Sequence, residues 1–262
     1  MVTGIADVLD RHATTAERSV VVGLGEGGDR TLVIDAESED VIFSELARLQ
    51  AAGHRFTAVS EERGEVEFGG SGVRVVIDPI DGSLNAKRVS GPCALSLAVA
   101  DGSTIADVRF GFVYDFHTGE EWVAASGCGA FLNGERLDPS LPPRFRDDGR
   151  VEVLGIESAD PRWVAAASES LVESSYRLRA LGAIAVSLCH VAAARFDAMV
   201  SLKGCRSFDA AAAQLIVREA GGEVAFPKLD EPLGAPLDLV AHSPVAAGRD
   251  RSALAVATRI VS

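Results

Sequence analysis

No stretch of this sequence approaches the roughly eighteen uninterrupted apolar residues that a membrane-spanning helix needs, so that class is excluded. Positive charge is scarce as well. The 25 basic residues face 38 acidic ones, the formal net charge is -13, and lysine is reduced to Lys87, Lys203 and Lys228. Tracking a nucleic-acid backbone demands the opposite balance, which excludes that partner. The rarity of lysine beside abundant arginine carries no functional information. Cys93, Cys128, Cys189 and Cys205 show neither CxxC spacing nor a neighbouring histidine pair, so they read as small buried hydrophobes in a reducing compartment, not zinc ligands. Aromatic residues amount to 6% and none clusters near the acidic motifs, which argues against a pocket for a nucleotide base. His12, His54, His117, His190 and His242 are scattered without ligand spacing, and Ser96 and Ser187 lack a nucleophile's setting. Met1 through Arg18 alternates acidic and basic residues with no apolar leader-like core, so a soluble, cytoplasmic chain is expected.

What is present is acid at the ends of strands. Val73-Arg74-Val75-Val76-Ile77 is short and mostly β-branched, reads as a buried strand, and delivers Asp78-Pro79-Ile80-Asp81-Gly82-Ser83-Leu84-Asn85 to the rim of a sheet. Pro79 is expected to stop the ladder there, and Gly82 to permit a tight turn and close approach of a ligand. If Ser83 opens a helix, the free N–H groups of its first turn favour an anion such as phosphate. One segment thus offers cation ligands and an anion cradle, against the simpler reading of an Asx turn between strand and helix. Phe56-Thr57-Ala58-Val59-Ser60 repeats the pattern and ends in Glu61-Glu62. Downstream, Asp209 falls in the first turn of a strong helix former that Gly221-Gly222 closes; a carboxylate there also suits the helix dipole with no ligand at all.

Ser60-Glu61-Glu62, the 78–85 segment and Ser207-Phe208-Asp209 through Gly222 together resemble, in order and spacing, the three signature segments of the inositol monophosphatase family. Gly127-Cys128-Gly129-Ala130-Phe131-Leu132-Asn133-Gly134 is similar to that family's hairpin, so the resemblance covers most of the chain. Arg177 through Ala183 with Cys189-His190-Val191-Ala192 looks like the archaeal-type enzymes that act on both fructose 1,6-bisphosphate and inositol monophosphate. The resemblance implies a layered α-β-α-β-α sandwich of α+β or α/β class, a homodimer, and magnesium dependence with sensitivity to lithium. It also implies two or three Mg²⁺ ions, with Mn²⁺ as a substitute. Carried over by position, Glu61, Asp78 and the carbonyl of Ile80 hold one ion, and Asp78, Asp81 and Asp209 hold the other. Ser83 orients the attacking water, the N–H groups of Gly82 and Ser83 hold phosphate oxygens, and Glu62 stands behind the ligands. Asp29, in Gly27-Gly28-Asp29, resembles the loop aspartate of a third, weaker metal position; an acidic residue in a glycine-rich loop is equally well simply solvated. Asp35 is open in the same way, between orienting that water and sitting near a helix start.

Periodicity places an amphipathic helix over 1–18 through Ile5, Val8 and Leu9, and another near 38–52. An antiparallel meander is expected over 94–137, with turns at Asp101-Gly102 and Asn133-Gly134. The proline-containing stretch 138–150 separates an N-terminal half, 1–140, built on an antiparallel sheet and carrying most ligands, from a C-terminal half, 150–262, with a mixed sheet. In that second half strands are expected at 151–156, 176–181 and 198–202, and helices near 161–173, 183–195 and 209–220.

Hard carboxylate and carbonyl oxygens suit Mg²⁺, and paired ions roughly 3.5 to 4 Å apart clamp the attacking and leaving oxygens of an in-line displacement. Animal-type members carry a glutamate seven residues before the last aspartate, where this chain has Leu202, followed by Lys203. That loss of a hydroxyl-binding carboxylate shifts the expected substrate toward a second anionic group, held by Arg177, Arg179, Lys203 and Arg206. Lys87 and Arg88 either touch substrate or solvate a loop. The expected activity is a phosphoric monoester hydrolase acting on sugar or polyol phosphates, fructose 1,6-bisphosphate ahead of inositol 1-phosphate. An adenosine 3',5'-bisphosphate or NAD(P) phosphatase, and a catalytically silent metal-dependent binding protein, are the alternatives.

Overall fold

The structure, a computed structural model, describes residues 1–26, 28 and 30–261, with Ser71 as backbone only; Asp29 lies outside the described residues. The helix expected over 1–18 is two helices. α1 (Val2–Arg11) buries Ile5, Val8 and Leu9, and α2 (Thr15–Arg18) restarts the chain because Thr14 and Glu17 form a reciprocal capping box. A hairpin of β1 (Val21–Leu24) and β2 (Arg30–Leu32) leads into α3 (Val33–Ala51), which begins earlier than its periodicity suggests.

β3 (Phe56–Ser60) and the long β4 (Gly64–Asp81) set the geometry of everything downstream. β4 folds around β3. Its first arm runs antiparallel, with Val59 opposite Glu65, and its second arm runs parallel, with Val59 opposite Val76 and Ser60 opposite Ile77. The expected stop at Pro79 does not occur. The ladder to β5 (Ala94–Ala100) pairs Asp78 with Ser96 and Asp81 with Ala94, and a bulge between them accommodates the residue that cannot donate. α4 (Ser83–Arg88) bridges β4 and β5. β6 (Val108–Asp115), β7 (Glu121–Ala125), β8 (Gly129–Leu132) and β9 (Glu135–Arg136) complete the meander of a seven-stranded sheet. Asn133 and Gly134 make its last turn with φ of 50° and 81°, as a two-residue hairpin requires. Asp101-Gly102 instead opens a longer connection through a 3₁₀ turn at Ile105–Asp107.

Beyond 138–150, β10 (Val151–Glu157), β11 (Ser175–Arg179), β12 (Ala198–Ser201), β13 (Glu223–Ala225) and β14 (Ala246–Gly248) form a mixed sheet in the order β11-β10-β12-β14-β13. The helix expected over 161–173 is broken at Ala167 into α5 (Pro161–Ala166) and α6 (Ser168–Ser174). α7 (Ile184–Ala192), α8 (Ser207–Glu219) and α9 (Arg251–Arg259) follow.

The layers come out as α-β-α-β-α. α1 and α3 cover one face of the large sheet, α7 and α8 fill the space between the sheets, and α6 and α9 cover the far face of the small one. Both faces of β4 are buried, so its alternation is apolar on both sides: Val75 and Ile77 meet the outer helices and Val76 meets the central layer. Of the cysteines, Cys93, Cys189 and Cys205 are buried as expected; Cys128 is exposed, because it sits in the turn between β7 and β8. His190 packs its ring near Trp122 and Phe196.

The alanine run Ala210–Ala213 lets α8 lie almost on the backbone of β6. A Cβ at Gly111 would stand 2.4 Å from the carbonyl oxygen of Ala212. Gly111→Ala should therefore cost about 1–3 kcal/mol of unfolding free energy through overpacking, read from denaturant midpoints. An unchanged midpoint would mean the central helix and the sheet are not in that contact.

Candidate active site

The parallel pairing of β3 with the second arm of β4 brings two acidic chain segments to the same edge. Ser60 and Ile77 are partners, so Glu61, just past the end of β3, and Asp78, still paired to β5, come side by side. The bulge then turns Asp81 to the same end, where its carboxylate accepts hydrogen bonds from the N–H groups of Ile184 (3.1 Å) and Ala185 (2.7 Å) at the start of α7. Asp81 thereby joins the two halves and stands at the positive end of a helix dipole. Asp209 enters from the first turn of α8 and accepts from the N–H of Arg206 at 2.8 Å, the local role its position suggested. All four carboxylates, with Ile80, Gly82 and Ser83, line one cleft of about 1130 Å³.

Gly82 is required where it is. Its φ is 88°, and a Cβ would meet the carbonyl oxygen of Pro92 at 2.8 Å. Ser83 opens α4, its hydroxyl donating to the carbonyl oxygen of Ile80 at 2.9 Å, and the N–H groups of this first turn have no helical acceptor. Asp78 Oδ1 accepts from the N–H of Ile80, so the Asx-turn reading is also true of the segment.

Burial dominates the electrostatics. It pushes Glu61 up to about 8 against the opposing pull of Arg206, and repulsion from Asp209, Glu62 and Asp35 adds to it. Asp78 is held well above the usual carboxylate range by burial and by Glu61, Asp81 and Asp209; Asp81 by burial and then Asp209. Asp35, in the first turn of α3, is raised to about 7, mainly by burial. One of its oxygens accepts from the N–H of Leu32, and Ser83 is close enough to pull its pKa down. Its other oxygen, Oδ1, is buried with no hydrogen-bond partner. Of the two readings left open for Asp35, the structure bears out the helix-start one, and the carboxylate also faces Ser83.

Other expected site residues fall elsewhere. Arg177 and Arg179, exposed on edge strand β11, do not line the cleft; Arg177 stacks 3.8 Å over the Tyr176 ring and donates to its hydroxyl, and Arg179 donates to the carbonyl oxygen of Leu178. The four-cation recess is thus reduced to Lys203 and Arg206. Arg206 is engaged with acid, its Nη2 standing 2.6 Å from Glu61 Oε1. Leu202 is buried in the outer core and puts nothing into the cleft, while Lys87 lines it and Arg88 does not. Glu62 accepts from the Thr31 hydroxyl and anchors the β1–β2 hairpin to the β3 end.

Glu157 and Trp163 are among the lining residues that the motifs did not announce. Glu157 ends β10 and accepts from the N–H groups of Leu181 (3.0 Å) and Gly182 (2.9 Å), holding the loop into α7; it has the same signature as Glu61, an apolar strand ending in acid. Trp163, on α5, lines the cleft mouth, so an aromatic far from the motifs in sequence reaches the site after all.

The inositol monophosphatase family matches this chain over residues 2–261. The chain belongs to that family. It is 33% identical to a fructose-1,6-bisphosphatase/inositol-1-monophosphatase from Methanothermobacter thermautotrophicus, over 80% of this chain and 76% of the relative. It is 36% identical to the enzyme of the same name from Thermococcus kodakarensis, over 78% and 72%. A solved inositol monophosphatase–fructose 1,6-bisphosphatase superposes with a TM-score of 0.82 at 25% identity, covering 98% of this chain and 95% of that one. The family member described here is accordingly a metal-dependent phosphatase of the inositol monophosphatase and fructose-1,6-bisphosphatase type.

The donor set fits a hard divalent cation: buried carboxylate oxygens whose mutual repulsion a bound cation would relieve as a proton does, with a carbonyl beside them. Among the described residues no three acidic, histidine or cysteine side chains form a ready cage, since Asp81, Asp209 and Glu61 are turned onto N–H groups or Arg206.

This electrostatic stress sets a sign. Glu61 at about 8 and Asp35 at about 7 both lie above their ordinary values of 4.5 and 3.8, so the folded state holds protons that the unfolded chain releases. Their contribution to stability is present below about pH 4 and is lost progressively as pH rises toward about 8. In chelator, the melting temperature should fall across that window. Mg²⁺ should raise it most at the alkaline end, because cation and proton compete for the same oxygens. A melting temperature that climbs from pH 5 to 8 in chelator would contradict the assignment.

Proposed function

We propose that this phosphatase hydrolyses sugar or polyol phosphates with two Mg²⁺ ions, fructose 1,6-bisphosphate and inositol 1-phosphate being the substrates to expect. The observation that carries this reading is the convergence of Glu61, Asp78, Asp81 and Asp209, from two strand ends and a helix start, on one cleft beside the first turn of α4. Glu61, Asp78 and the Ile80 carbonyl would hold one ion, and Asp78, Asp81 and Asp209 the other; a third, at Asp29, is part of the same reading. When bound, such ions supply Lewis-acid stabilisation of phosphoryl charge and acidify water.

The protein's own groups do the rest. The N–H groups of Gly82 and Ser83 point a phosphate at the floor of the cleft. Ser83 and Asp35 form the proton path: the hydroxyl of Ser83 orients the water, and the unpartnered Oδ1 of Asp35 accepts its proton. A carboxyl raised to about 7 is matched to that task, since the ideal base titrates near the working pH. Lys203 and Arg206 offer positive charge to a second phosphate, and the relatives' names include a bisphosphate. Homodimer assembly belongs to the proposal as well.

Trp163 at the mouth favours a second reading, an adenosine 3',5'-bisphosphate phosphatase whose base rests on the indole. A phosphate-release panel separates the two. With Mg²⁺, fructose 1,6-bisphosphate should turn over faster than inositol 1-phosphate and far faster than adenosine 3',5'-bisphosphate, and none should turn over in chelator. The nucleotide leading would reverse the preference. Asp209→Asn should cost about 10²–10⁴ in kcat with the melting temperature nearly unchanged, the scale of losing charge stabilisation in a transition state. Retained turnover in that variant would rule Asp209 out as a ligand.

A further inference from the structure

Arg206 stands between two of the proposed ligands. Its Nη2 lies 2.6 Å from Glu61 Oε1, its backbone N–H donates to Asp209 Oδ2 at 2.8 Å, and its guanidinium stacks 4.7 Å from the Phe208 ring centre. The contact is largely withdrawn from solvent, with the two side chains only 21% and 15% exposed, and a pair so placed is screened far less than a surface one. Arg206 also joins segments distant in sequence, the β3 end and the α8 start.

We propose that Arg206 is an internal counter-cation that competes with the metal for Glu61, so that loading the first ion requires the guanidinium to let go. The inference rests on the metal reading above and deepens it. A guanidinium beside a carboxylate satisfies the same oxygens that a divalent ion would take, and the two positive charges cannot both stay at that distance. Once displaced, the side chain remains on the cleft wall, where a phosphorylated substrate is its next partner. Cation and anion binding are then coupled through one side chain, and the coupling is reciprocal.

Calorimetric titration of Mg²⁺ into the whole protein, without substrate, tests this. Arg206→Gln should bind Mg²⁺ about tenfold more tightly than the natural chain, and Arg206→Lys, which keeps a charge but loses the fork, should fall between them. Tightening is a direction that loosened structure would not produce, and the order of the three proteins is the diagnostic. Equal or weaker binding by Arg206→Gln, with Mg²⁺ still bound by the natural chain, overturns the role given to Arg206 alone. Absence of Mg²⁺ binding from all three proteins overturns the metal reading and this inference with it.

Discussion

The constraint on which the rest depends is the burial of several like-charged carboxylates at one point. Asp78 and Asp81 are almost wholly withdrawn from water, and that burial raises both; Glu61, Asp81 and Asp209 raise Asp78 further, and Asp209 and Glu157 raise Asp81. A carboxylate left in that position without a counter-charge is expensive, and nearby like charges make it worse. The surroundings answer with what donors they have. Two N–H groups at the start of α7 hold Asp81, Ile80 holds Asp78, and Arg206 holds Glu61. None removes the repulsion, which is why the arrangement reads as a site for cations and not as a structural network of satisfied pairs.

Geometry at that point is fixed by backbone events and not by loops alone. A parallel register puts Glu61, just past the end of β3, beside Asp78 of β4, and the bulge around Pro79 rotates Asp81 to join them. The central helical layer supplies the remainder: α7 clamps Asp81, α8 presents Asp209, and both helices pack on the two sheets at once. The site thus sits where the layers meet, and Glu157, ending a strand of the second sheet, ties the loop that aims α7. A small displacement of the central layer would move ligands relative to one another, so the tight contact at Gly111 bears on chemistry as well as stability.

Much of this was legible in the sequence because the signals are local. Apolar runs ending in acid locate Glu61 and Asp78, an alanine-rich helix former locates α8, and Asn133-Gly134 announces its hairpin. The layered order followed from the family resemblance carried by the same segments. What stayed illegible depends on pairing at a distance. That Arg177 and Arg179 face away follows from β11 being an edge strand with its own aromatic partner, Tyr176. That β4 passes through Pro79 depends on β5 being there to accept a bulge. Trp163 reaches the cleft only because Asp160 and Pro161 start a short helix at the end of β10.

The position of Arg206 sharpens the question of how an acidic chain handles an anionic substrate. A net charge of -13 repels phosphate at long range, and salt screens that repulsion within about 10 Å. Inside the cleft acid still outnumbers base: Asp35, Glu61, Glu62, Asp78, Asp81, Glu157, Asp160 and Asp209 face Arg30, Lys87, Arg162, Lys203 and Arg206. With Arg206 spent on Glu61 the cleft is unattractive to phosphate; with cations on the carboxylates and the guanidinium turned outward it becomes strongly attractive. On the role proposed for Arg206, the cleft therefore disfavours anions while unloaded and favours them once loaded. On that proposal cation and phosphate favour each other's binding through the contact between the end of β3 and the start of α8, with no separate device.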